Sequence, residues 1–164
     1  VHYSRERDLR YLLEGSVNAA GDALEWARLN LGLFKDYGEV DDLCWKATSD
    51  TVAFIGLNGT GAPHWEREIS SAFHGLGPES TSAELVRAIV ECVVFFLKDI
   101  AEEARKSGIE PKNYFLAGGP ASITYLTQVL ADILETDLRI SAVREASAMG
   151  AAFLAGNAVR VFGL

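Results

Sequence analysis

One segment constrains the fold of this chain more than any other, the run from Ser82 to Lys106, in which Leu85, Ile89, Val93, Phe96, Ile100 and Ala104 recur on one face at helical spacing. Both ends are marked. Thr81 with Glu84 three residues on is a capping box, Arg105 and Lys106 suit the negative end of the helix dipole, and Gly108 supplies a left-handed stop. A long amphipathic helix of this kind needs partners to cover it, and the flanking sequence supplies them.

Upstream, Val1 to Tyr3 and Tyr11 to Val17 are extended runs around the charged Ser4 to Asp8 and read as a strand pair. Ala19 to Leu33 places Leu24, Trp26, Ala27 and Leu31 at helical spacing behind Asn18 as N-cap, and Gly38 to Trp45 reads as a shorter helix with Val40, Leu43 and Cys44 inward. Thr51 to Ile55 is a strand entering the loop Gly56 to Gly61, and Ile69 to Leu76 is another strand. Downstream, Asn113 to Ala117 is a strand, Leu126, Val129, Leu130, Ile133 and Leu134 mark a helix, and Asp137 to Ser141 is a further strand. The final helix, Ala146 to Val161, is rich in small residues (Ala148, Gly150, Ala151, Ala155, Gly156) that permit close approach of a neighbour. Strands and helices alternate, so the expected class is α/β, a single domain over residues 1–164. A chain of 164 residues, 49% apolar, buries about 70% of its unfolded surface without staples.

Charge narrows the partners. With 15 Lys and Arg against 23 Asp and Glu the net charge is −8, and no basic stripe exists to bind nucleic acid or an anionic membrane. Apolar runs are too short to span a bilayer. Cys44 and Cys92 stand far apart without metal spacing, which suits a reduced, cytoplasmic protein; Cys92 reads as inert core. The N-terminal Val1-His2-Tyr3 reads as the middle of a longer chain.

The strongest chemical signal is the strand Asn113 to Ala117 running into Gly118-Gly119 and a helix opened by Pro120, an arrangement that exposes N–H groups to a phosphate. A plain turn is the competing reading, and the pattern is neither GxGxxG nor GxxxxGK[ST]. Gly56 to Gly61 reads as a bland loop, His64-Trp65 as a packed corner, and Arg87 with Glu91 as a helix-surface ion pair. His2, His64 and His74 lack ligand spacing, so no metal site is expected within the chain.

Several segments together resemble the C-terminal domain of the FGGY family of carbohydrate kinases. Ser71-Ala72-Phe73-His74-Gly75-Leu76, then seven residues, Glu84-Leu85, two residues, and Ala88-Ile89-Val90-Glu91 fit the family signature. Leu13-Glu14-Gly15-Ser16 resembles its LEG strand, Gly61 to Trp65 its GAPYW loop, Gly118-Gly119 its adenosine-motif glycines, and Glu145 to Ala155 its EATALGAAYLA helix. The resemblance implies an actin-like ATPase (ribonuclease H-like) domain, a mixed sheet flanked by helices, that binds ATP. It implies nucleotide contacts at Gly118, Gly119, Gly21, Glu25 and Ile123. Glu25 stands where the family has glutamine, and Ile123 where it has asparagine.

The catalytic aspartate, the sugar or polyol site and most of the Mg2+ site are implied to lie in an N-terminal domain absent here, which leaves the isolated chain inactive. A non-catalytic nucleotide-binding or interaction module that kept the fold is the alternative. The interdomain face bared by truncation could then assemble the chain into a homo-oligomer.

Overall fold

The computed structural model describes residues 2–5, 8–11, 13–143 and 145–161. They divide into two units, 1–111 and 112–164.

The first unit is built on α3 (Ser82–Lys106), whose bounds match the sequence expectation. The Thr81 hydroxyl accepts from the Ala83 N–H at 3.2 Å, and the Glu84 carboxylate accepts from the Thr81 N–H at 2.8 Å. At the other end the Ile109 N–H reaches the Ala104 carbonyl (3.0 Å) and the Gly108 N–H reaches Arg105 (2.9 Å), the double closure of a Schellman motif that the left-handed Gly108 allows. The expected single stripe underestimates α3. Ala83, Val86, Ala88, Ile89, Val90, Cys92, Val93 and Val94 are all buried, so the first half of the helix is covered on most sides. The reason is its central position: α1 (Ala20–Leu29), α2 (Glu39–Lys46) and β3 (Val52–Phe54) all pack on it. Ala23, Leu24 and Ala27 of α1 and Val40 and Cys44 of α2 complete this core.

Glu84 is buried and makes three bonds: the Thr81 hydroxyl (2.6 Å), the Thr81 N–H and the Thr48 N–H (3.2 Å). These donors, the Thr81 hydroxyl foremost, hold its carboxyl at about 2, below the ordinary 4.5. Its stabilising share is therefore complete above about pH 4.5 and is lost as the pH falls toward about 2. Urea unfolding followed from neutral pH to pH 2 should show a shallower acid decline in Glu84→Gln than in the parent; parallel curves would remove this role.

Strand pairing in this unit is antiparallel. β1 (His2–Arg5) faces β2 (Asp8–Tyr11) with His2 opposite Tyr11, and β3 faces β4 (Ala72–His74) with Val52 opposite His74. The first pair was expected from apolar runs to leave Ser4 to Asp8 outside the ladder, yet Ser4, Arg5 and Asp8 belong to it, because the ladder is made by backbone groups that every residue carries. Val1, Glu6, Arg7 and Leu12 lie outside the described residues. Asn18 is not the cap of α1. Ala19 holds that position without a side-chain bond, and the Asn18 carboxamide instead donates to the Asn58 carbonyl at 3.3 Å.

Arg87 also departs from expectation. With 16% of its side chain exposed against 23% for Glu91, the pair is no surface bridge. Its guanidinium donates to the Ala47 carbonyl (3.1 Å) and to the Ser49 carbonyl, tying the segment between α2 and β3 to α3. Both cysteines are free and buried. Burial pushes the Cys44 thiol up to about 12, and Cys92 accepts from the Ile55 N–H at 3.3 Å, so both are inert core.

The second unit is a parallel pair, β5 (Tyr114–Leu116) beside β6 (Leu138–Ile140), joined through α4 (Thr124–Leu134) and followed by α5 (Ala146–Ala158). α4 buries Tyr125, Leu126, Thr127, Leu130 and Leu134. α5 buries none of its residues, small though many are. The class is α/β, and among the described residues the strands form three two-stranded sheets, two antiparallel and one parallel.

Candidate functional site

At the end of β5 the chain turns at Gly118, whose φ of 98° and ψ of 178° lie where side-chain-bearing residues are rarely found. The expected helix with Pro120 at its first position is in fact a short 3-10 turn, Gly119–Ser122, and α4 begins only at Thr124. The Ser122 hydroxyl shows why. It donates to the Gly119 carbonyl at 2.7 Å, and the Ile123 N–H, which would complete an α-turn there, bonds one residue short at Pro120 (3.1 Å).

The surroundings of the two glycines are open. A Cβ built on Gly118 or Gly119 would meet nothing within 4 Å, and neither N–H meets an acceptor among the described residues. Pro120 has no N–H to satisfy. Two adjacent amides with space before them can receive an anionic oxygen. Ile123 is placed differently: it is buried, its N–H is spent on Pro120, and its carbonyl accepts from Thr127 (3.1 Å).

Gly21 sits in the first turn of α1, exposed, and a Cβ there would also meet nothing within 4 Å. Glu25 follows one turn later on the same face. Both its oxygens are engaged: Oε1 accepts from Arg28 Nη2 (2.7 Å), and Oε2 from Arg28 Nε (3.0 Å) and the Tyr37 hydroxyl (2.8 Å). The Arg28 guanidinium, and then Tyr37, hold its carboxyl at about 2. Tyr37 is steadied by an edge contact with the buried Phe34, ring centroids 5.6 Å apart. A carboxylate neutralised in this way repels a phosphate far less than a bare one. The Glu25 and Arg28 spacing was legible in the sequence, whereas nothing local pointed to Tyr37.

The loop Gly56 to Gly61, expected to be bland, is tightly built. A Cβ on Gly56 would lie 2.9 Å from the Ile69 carbonyl oxygen, one on Gly59 would lie 2.6 Å from that of Glu66, and one on Gly61 would overlap that of Ser16. His64 Nε2 stands 2.9 Å from Asp99 Oδ2 on α3. Trp65 is not in a packed corner but 64% exposed, with its backbone in the left-handed region (φ 56°). Among the described residues no three His, Cys, Asp or Glu gather. No helix among them is long and apolar enough to cross a membrane.

Residues 3–159 match the family model described as FGGY family of carbohydrate kinases, C-terminal domain. A glycerol kinase of Enterococcus casseliflavus is 35% identical over 162 residues, which cover 97% of this chain and 32% of that protein. One of Bacillus anthracis is 36% identical over 158 residues, 92% of this chain and 31% of that protein. Among solved structures, Plasmodium falciparum glycerol kinase with ADP superposes with a TM-score of 0.76 at 27% identity, covering 91% of this chain and 30% of that one. Ligand-bound xylulose kinase from Lactobacillus acidophilus gives 0.79 at 26% identity, covering 99% and 34%. The chain thus spans about a third of the length of the relatives it matches.

Proposed function

Because the chain belongs to the FGGY family of carbohydrate kinases, as a C-terminal domain with the actin-like ATPase fold, we propose that it is the nucleotide-binding part of an enzyme transferring the γ-phosphate of ATP to a sugar or polyol hydroxyl. The observation that carries this reading is the pair of open glycines after β5, whose N–H groups lack acceptors among the described residues. In it, Gly118 and Gly119 receive nucleotide oxygens. Gly21 and Glu25 of the first unit, and Ile123 of the second, stand at positions to which the family resemblance gives nucleotide contacts, and each is to be tested by itself. The Plasmodium glycerol kinase structure holds ADP, which supports nucleotide use by this family.

Phosphoryl transfer is mainly positioning of base, acceptor, metal and phosphate together. The acceptor site, the base and the Mg2+ ligands are read as lying outside residues 1–164, so the chain alone should bind nucleotide without transferring phosphate. A cytoplasmic location belongs to the same reading.

Thermal unfolding of the chain with ATP, ADP and AMP tests it. Nucleotide at ten times its dissociation constant adds about 1.4 kcal/mol, a rise of roughly 3 to 5 °C in Tm for this size. Gly119→Val should abolish the rise without changing Tm in buffer, since the added side chain enters open space. No rise at several millimolar of any of the three would overturn the nucleotide reading.

A further inference from the structure

The first unit holds a cavity of about 660 Å3 lined by Asn18, Asn58, Thr60, Trp65 and Arg67, none of which enters the nucleotide reading above. Its wall is rigid. Thr60 is buried, its N–H donates to the Glu66 carbonyl (2.8 Å), and its hydroxyl accepts from the Glu66 N–H (2.9 Å). The Trp65 N–H closes back on the Gly61 carbonyl (3.0 Å), and the Ala62 N–H on Ser16 (3.0 Å). Two side-chain-bearing residues of the lining, Asn58 (φ 59°) and Trp65 (φ 56°), are held in the left-handed region. Such backbone persists where the surroundings over-determine it, and it concentrates at binding sites.

The chemistry displayed on this wall is of three kinds. The Trp65 indole is largely bare, although burying an aromatic ring is worth more than leaving it in water. The Arg67 guanidinium is exposed and makes no ion pair with the flanking Glu66 or Glu68, nor with any other described residue. Asn18 spends one N–H on the Asn58 backbone carbonyl, which leaves its carboxamide oxygen and the Asn58 side chain to bond elsewhere. An aromatic plate suits the C–H face of a sugar ring or polyol chain, carboxamides suit its hydroxyls, and an unpaired guanidinium suits a phosphate or carboxylate.

We propose that the loop 56–67, with Asn18, forms a second binding site, built from residues other than those of the nucleotide reading, for a small hydroxylated anion: carbon face on Trp65, hydroxyls on Asn18 and Asn58, anionic group on Arg67. A neutral polyol leaves Arg67 unpaired, and an inorganic anion leaves Trp65 bare, so neither alone satisfies the site.

Tryptophan fluorescence and isothermal calorimetry on the whole chain test this, with glucose 6-phosphate and gluconate as the two anionic probes and glycerol and inorganic phosphate as the partial ones. Binding of either anionic probe at millimolar concentration is expected, and the arm that binds identifies phosphate or carboxylate as the anchor. Arg67→Ala should weaken it roughly tenfold to a hundredfold, the loss of one charge-assisted contact, and Trp65→Ala should abolish the fluorescence change. Both side chains are exposed, so both variants should fold and keep the ATP-induced Tm rise if the parent shows one. Absence of binding by both probes at tens of millimolar, unaltered affinity in Arg67→Ala, or equal affinity for glycerol or inorganic phosphate would each overturn the site. None of these outcomes depends on whether the chain binds ATP.

Discussion

Gly61→Ala should destabilise the chain by about 3 kcal/mol, the upper range for forcing atoms into a closed space. A Cβ at this position would overlap the Ser16 carbonyl oxygen, and the backbone has nowhere to retreat. The Ala62 N–H is bonded to that same oxygen at 3.0 Å, and the Gly61 carbonyl holds the Trp65 N–H. Moving Gly61 away from Ser16 would therefore break the contacts that shape the loop carrying Trp65 and Arg67. Urea unfolding should show a lower midpoint at unchanged slope. Gly21→Ala is the contrast. It adds a methyl to a helix with nothing within 4 Å, and replacing glycine there gains up to about 1 kcal/mol of helix propensity. Equal stability of the two variants would show that close approach to Ser16 does not govern position 61.

Gly118→Ala should act on both stability and nucleotide binding. Its φ of 98° is penalised for any L side chain whatever the space, at a cost of about 1–3 kcal/mol. The least costly relief is rotation of the peptide between Ala117 and Gly118, which swings away the Gly118 amide that would meet the nucleotide. A loss of tenfold or more in ATP affinity is expected, alongside a lower Tm in buffer. Gly119 carries no such backbone demand, so Gly119→Ala should keep its Tm and lose affinity only through the methyl in the open space. Full ATP affinity in both variants would exclude the glycine turn from the nucleotide site.

Much of the fold could be read without coordinates. α3 was legible to the residue because its signals are local: a capping box, a basic last turn, and a glycine stop, each within a few positions of the bond it makes. The order of strand, glycine pair and helix around Gly118-Gly119 was legible too, though not the 3-10 turn that separates the glycines from α4. What misled was the assumption that local rules apply one at a time. Pro120 suits a helix start, yet the Ser122 hydroxyl captured the Gly119 carbonyl and tightened the turn. Asn18 suits an N-cap, yet its carboxamide found Asn58, forty residues away in sequence.

The candidate sites divide along the same line. Composition, periodicity and motif spacing determined by themselves the α/β class, the position of the central helix and the glycines at which a nucleotide is proposed to approach. Only the tertiary structure decided that Tyr37 joins Arg28 on Glu25, that Arg87 reaches Ala47 and Ser49, and that Gly61 is pressed against Ser16 while Trp65 stands bare beside Arg67, which has no ion-pair partner among the described residues. The physical reason is range: propensity, capping and periodicity act over a few residues and leave a trace in the sequence. The partner of a buried carboxylate or the clearance above a glycine depends on which distant segments pack together, and that is set by the whole core at once.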